Sequence, residues 1–152
     1  MIDASTTRLA GLAAAAAFAA LLITAPASAQ ESPATVFTAT LSGGDAGDTD
    51  GSGLFTAEWD GEAGQLCYQL QVADIAPATA AHIHRGASGD SGPPVVSLEA
   101  PVEGAVESCV EVEAEVAMEL ADNPSGFYVN VHNEEFGGGA VRGQLETPAN
   151  TR

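Results

Sequence analysis

The chain has 152 residues, 45% of them hydrophobic and 16% charged, with 21 acids against 4 bases and a formal net charge of −17. That length and composition supply one hydrophobic core; they exclude a second sizeable domain and a disordered chain. None of the bases is a lysine, and so acidic a surface repels phosphate backbones and anionic bilayers, which argues against nucleic acid and membrane surfaces as partners. The same charge suits solubility in high salt, where counterions screen the self-repulsion.

From Leu9 to Ile23 the chain is apolar and alanine-rich, with Arg8 before it and the small-x-small tripeptide Ala27-Ser28-Ala29 after it. This reads as a secretory signal over residues 1–29, cut before Gln30. The run is short of the ~20 residues a spanning helix needs, and the residue directly after the cut is Gln30, not the cysteine a lipoprotein would require. Asp3 and Arg8 leave together, so the mature charge stays at −17. The expected destination is the medium, the periplasm or the cell surface, and nothing later in the chain is apolar enough to span a bilayer.

Beyond a short tail over residues 30–34, an alternation of apolar and polar residues recurs through residues 35–147, broken by glycine, proline and aspartate. Period-2 patterning of this kind marks an all-β domain. Candidate strands run from Val36 to Leu41, Gly53 to Trp59, Leu66 to Ala73, Ala80 to His84, Val95 to Leu98, Val106 to Val116, Phe127 to His132 and Ala140 to Leu145. About 7–8 short antiparallel strands, each with one apolar face, predict a β-sandwich, because two such faces bury each other. Only Val116 to Asp122 reads as a helical turn, and residues 148–152 form a second tail.

The two cysteines, Cys67 and Cys109, lie in strands whose apolar residues fall on even numbers, so both sulfurs share the polar faces with glutamines and glutamates. In an exported chain they predict a surface disulfide that acts as a staple.

Two short strings imitate other chemistries. Thr79-Ala80-Ala81-His82 and Gly89-Asp90-Ser91-Gly92-Pro93 resemble the histidine and serine motifs of chymotrypsin-like proteases. A triad, however, draws these residues from separate parts of a much larger fold. Asp48-Thr49-Asp50-Gly51 hints at a calcium loop, but counting Gly51 as its sixth position puts Ala46 and Ala57 where carboxylates are required.

All three histidines fall in two segments, His82-Ile83-His84-Arg85-Gly86 continuing to Val96, and Phe127-Tyr128-Val129-Asn130-Val131-His132-Asn133 continuing through Val141-Arg142-Gly143-Gln144-Leu145. Together these resemble the two hallmark motifs of the CHRD (chordin-type) domain family, and the likeness runs from about Val36 to Glu146. The chain departs from the family at Ser42-Gly43-Gly44-Asp45, where an acidic residue and prolines are usual, and at Gly137, where proline is usual. The resemblance implies an immunoglobulin-like, Greek-key sandwich or barrel, and an extracytoplasmic interaction domain.

Strand parity adds a polar face. Alternation sends His82, His84, Tyr128, Asn130, His132, Arg142 and Gln144 to the side opposite Ile83, Val129, Val131 and Val141. If the strands are neighbours, His82, His84 and His132 can present three imidazoles to copper or zinc; alternatively the face is a hydrogen-bonded structural patch. A His-x-His strand also resembles copper/zinc superoxide dismutase, but three histidines are too few for its two-metal site. Arg142, among so many acids, calls for a specific acceptor: backbone carbonyls, or Glu134 and Glu135 in the loop after His132. The leading expectation is a non-enzymatic, exported binding module for a protein or surface ligand. The alternative is an extracytoplasmic copper or zinc protein.

Overall fold

A computed structural model describes residues 34–44 and 46–148. The leader expected over residues 1–29, the cut before Gln30 and all but the innermost residue of each tail lie outside the described residues. The elements are β1 (Thr35–Ser42), β2 (Ser52–Asp60), β3 (Gln65–Ala73), β4 (Ala78–Arg85), β5 (Pro94–Leu98), β6 (Ala105–Glu111), α1 (Ala114–Asp122), a 3-10 turn (Pro124–Gly126), β7 (Phe127–Asn133) and β8 (Val141–Gln144).

Hydrogen bonding runs through all eight strands in one antiparallel sheet, in the order β5-β4-β7-β8-β1-β2-β3-β6. The strands are those the alternation implied. Their connection is different: instead of two separate sheets facing one another, a single sheet curls into a nearly closed barrel and buries its own apolar face. Phe37 and Leu41 of β1, Phe55 of β2, Leu66 and Leu70 of β3, Ile83 of β4, Val129 and Val131 of β7 and Val141 of β8 meet inside it. Tyr68 joins them with its hydroxyl satisfied, accepting from the Glu99 amide at 2.7 Å. Curling suits right-twisted strands, and it leaves only β5 and β6 as edges.

One expected strand is too long. The run from Val106 to Val116 stops as a strand at Glu111, and α1 starts at Ala114. Continued alternation would have buried Ala114, which is exposed; spacing of three to four instead buries Ala117 and Leu120 against the core. Ala, Glu, Met and Leu are also strong helix formers, so propensity and burial favour the same outcome.

Cys67 and Cys109 are direct register partners on β3 and β6 and are joined in a disulfide that closes a sequence separation of 42. Cys109 is exposed and Cys67 half-buried, both outside the barrel core. A loop of this size stabilises by roughly 4 kcal/mol through the entropy of the unfolded chain. Since neither sulfur supports core packing, the Cys67→Ser, Cys109→Ser double variant should keep its fold and lose a few kcal/mol at most. Urea unfolding checks this, and collapse of the variant at moderate temperature would show that the bridge carries part of the core. Intact mass, two hydrogens lighter than the reduced form, reports the bridge itself.

Candidate functional site

β4, β7 and β8 are consecutive in the sheet, so the two histidine-bearing segments of the sequence lie side by side. His82 is opposite Asn130, His84 opposite Tyr128, and Asn130 opposite Arg142. The outward side chains of three strands thus form one continuous polar surface. Two loops fold down over it, residues 86–93 after β4 and residues 134–140 after β7. Covered by loops on one side and the core on the other, β7 is buried at Phe127 through Val131 and again at Asn133.

A loop lying on a sheet must find donors for its carbonyls. Here side chains of the sheet supply them. Arg142 Nη1 donates to the Ser88 carbonyl at 3.3 Å and the Asp90 carbonyl at 3.0 Å, while its Nη2 donates to the Gly138 carbonyl in the other loop. The Tyr128 hydroxyl donates to the Asp90 carbonyl at 3.0 Å and accepts from the Gly92 amide at 3.2 Å. Gln144 accepts from the Ser88 amide at 2.9 Å, and its amide group donates to the carbonyls of Gly86 (3.2 Å), Ser125 (2.9 Å) and Phe127 (2.6 Å). Asn130 donates to the Gly138 carbonyl at 3.1 Å. Glu134 and Glu135 are exposed, and Arg142 bonds carbonyls rather than their carboxylates.

The histidines form the centre of the face. His84 stacks on Tyr128 with ring centroids 5.0 Å apart, and its Nδ1–H donates to the Gly92 carbonyl at 2.8 Å. His132 donates from Nδ1 to the Gly137 carbonyl at 3.0 Å. A carbonyl accepts only, so Nδ1 carries a hydrogen in both rings, and in the neutral ring this leaves the lone pair on Nε2. The Nε2 of His132 accepts from the Nδ1–H of His82 at 3.2 Å. The Nε2 of His84 is buried and has no hydrogen-bond partner. One nitrogen from each ring can be chosen so that all three lie within 4.8 Å of one another.

Charge is unfavourable on two of the rings, His82 and His132. Burial holds His82 below the ordinary histidine value of 6.5, and the neighbouring His132 and His84 lower it further. His132 is also depressed, first by burial, with His84 and Arg142 adding to the effect and the Gly137 hydrogen bond opposing it.

The other motif residues hold the frame. Arg85 points away from the histidines, pairs with Glu119 of α1 and lies over the Phe127 ring at 5.7 Å. The Gly86 amide donates to the Gly126 carbonyl at 2.7 Å from a backbone with φ +128°, which disfavours any side chain. At Gly143 a Cβ would sit 2.3 Å from the Thr40 carbonyl oxygen, so glycine lets β8 approach β1. Ser91 is exposed in the loop after β4, while the His82 ring faces His132. Ala57, which a calcium loop would need as a ligand, is buried in β2, and Asp45 lies outside the described residues.

Sequence reasoning missed the partners of these side chains. Gly92 and Gly137 act through their carbonyls, which every residue type carries, so their identities gave no signal. Glu119 lies in the stretch read as a helical turn, Val116 to Asp122, where nothing in the sequence marked it as the partner of Arg85. Asn133, buried and accepting from the Phe136 amide at 2.8 Å, was the one with a visible cue: it follows His132 at the strand end and opens the glycine-rich loop.

A model of the CHRD domain family matches residues 37–145, and the chain belongs to that family. No curated protein matches it significantly.

Gly137 and Gly139 make a controlled pair. A Cβ at Gly137 meets nothing within 4 Å, whereas at Gly139 it would lie 2.0 Å from Asn130 Oδ1, on a backbone with φ +131°. Gly139→Ala should therefore destabilise the protein by more than about 1 kcal/mol and Gly137→Ala by much less; equal urea midpoints would contradict the geometry. The depressed histidines give a second outcome. Stability of the metal-free protein should be fully present above about pH 6.5, where the unfolded imidazoles are neutral, and should fall as pH drops through the lower folded values. Denaturation midpoints at pH 7.5, 6 and 5 check the sign.

Proposed function

We propose that this chain is an exported, non-enzymatic binding module of the CHRD family that holds one Cu(II) or Zn(II) ion on His82, His84 and His132. The observation that carries the reading is the buried Nε2 of His84, which has no hydrogen-bond partner although its ring is fixed by the Gly92 carbonyl. A buried polar atom without a partner is costly, and a bound cation would satisfy it. Imidazole is a good ligand for both metals, and a ligating ring usually donates its other N–H to a carbonyl or carboxylate, as His84 and His132 do here. The hydrogen-bonded His82 Nδ1 and His132 Nε2 are 3.2 Å apart, close to the ~3.3 Å that separates ligand atoms around tetrahedral zinc at 2.0–2.1 Å, and ligation by both would require His82 to move its ring proton from Nδ1 to Nε2. The chosen nitrogen of the third ring lies within 4.8 Å of the other two.

Export is supported by the leader pattern in the sequence and by the disulfide, which suits an oxidising compartment. Among the described residues no helix is long and apolar enough to cross a membrane. The family resemblance supports an interaction role, whose partner would be an extracytoplasmic protein or surface ligand.

Titration of copper or zinc into metal-free protein tests the site. One equivalent should bind saturably at pH 7.5 and much more weakly at pH 5, because protons compete for imidazole. A His82→Ala, His84→Ala double variant should lose it. Absence of saturable uptake at micromolar metal removes the metal reading; a melting temperature that drops in the double variant while uptake stays at background would make the cluster purely structural.

A further inference from the structure

Arg142 makes no hydrogen bond to the histidine nitrogens; it bonds the carbonyls of Ser88, Asp90 and Gly138. Its bonds nevertheless converge on what fixes the histidines. One nitrogen of its guanidinium holds the Ser88 and Asp90 carbonyls, on the loop whose Gly92 carbonyl fixes His84. The other holds the Gly138 carbonyl, adjacent in sequence to the Gly137 carbonyl that fixes His132. Asp90 and Gly92 are further joined through the Tyr128 hydroxyl, on whose ring His84 stacks and over which the Arg142 guanidinium lies at 5.8 Å. Among the described residues, no other side chain bonds backbone atoms in both loops.

We infer that Arg142 is a positioning residue for the three-histidine site: by clasping the two loops together it sets both carbonyls that select the Nδ1–H tautomers of His84 and His132 and turn their Nε2 lone pairs toward one point. The inference rests on the metal reading for its function, but the clasp itself is a property of the metal-free protein. Its chemical logic separates it from a charge effect. A fixed cation near a metal site opposes binding, so charge alone would make removal of Arg142 tighten the site. Clasping demands the opposite. A planar fork reaching several carbonyls in two loops is also something a lysine ammonium on a flexible stem does not reproduce.

The experiment compares the full chain with its Arg142→Gln and Arg142→Lys variants. A core variant on the far strand β3, Leu70→Val, serves as a control for general destabilisation. Nitrogen NMR of the imidazoles in metal-free protein should give fixed Nδ1–H tautomers for His84 and His132 in the parent and in Leu70→Val. Both Arg142 variants should show mixtures. Zinc affinity at pH 7.5 should fall by about tenfold or more in both Arg142 variants, the size typical when an outer partner of a ligating histidine is removed, and should hold in Leu70→Val. Unchanged tautomers in folded Arg142→Gln overturn the proposal whatever the metal does. So does a parent-like or tighter zinc affinity in that variant. If the parent takes up no zinc while its tautomers are fixed and relax on loss of Arg142, the positioning role stands and the metal reading alone falls.

Discussion

Backbone carbonyls of a loop that folds onto a sheet must be met by donors, and in this molecule that requirement organises the whole motif face. The loops over residues 86–93 and 134–140 lie on β4, β7 and β8, whose own backbone groups are already committed to one another. Donors therefore have to come from side chains. Arg142, Gln144, Asn130, Tyr128 and two histidines all spend N–H or O–H groups on loop carbonyls. Each such bond contributes only about 0.5–1.5 kcal/mol net, but losing one strands a buried carbonyl at greater cost. The set is best regarded as one connected network in which members depend on one another.

The network also explains why two of the crowded imidazoles, His82 and His132, resist protonation in an acidic protein. With so many carboxylates on the chain, a histidine on the open surface would be drawn toward protonation. His82 and His132 go the other way because partial burial strips some of their hydration and because neighbouring rings, and Arg142 at His132, oppose charge on them. Carbonyl acceptors at Nδ1 then dictate which nitrogen retains its lone pair. Carbonyl-held rings that keep a lone pair on Nε2, as His84 and His132 do when neutral, are the ligands a borderline metal ion favours. The surrounding negative charge adds a long-range attraction for cations that Arg142 only partly offsets.

The barrel gives this face a rigid base. Phe127, Val129 and Val131 fix β7 from within through tight apolar contact, so the register that sets His82 opposite Asn130 and His84 opposite Tyr128 cannot slip without turning the core residues outward. At the opposite side of the sheet the Cys67–Cys109 bridge ties β3 to the edge strand β6. Stability supplied there is independent of the polar face. Arg85 and Glu119 link β4 to α1 at an exposed site, a modest contribution by comparison.

Alternation in the sequence determined the number of strands, their places and which side chains leave the core, because a pleated strand sends successive residues to opposite faces regardless of its neighbours. Cys67, Cys109 and the seven polar motif residues were legible for that reason. Alternation is silent on which strand lies beside which, so the order that unites β4, β7 and β8, and the single curled sheet in place of two, belong to the tertiary structure. It also carried the sixth strand too far, to Val116, where the chain leaves the sheet after Glu111; the helical turn read over Val116 to Asp122 is where Ala117 and Leu120 reach the core. The motifs made the histidines conspicuous and marked Arg142 as needing an acceptor. Which carbonyls accept from Arg142, His84 and His132 was decided only when the loops came down on the sheet, since a carbonyl carries no side-chain signature and its position depends on the entire path of the chain.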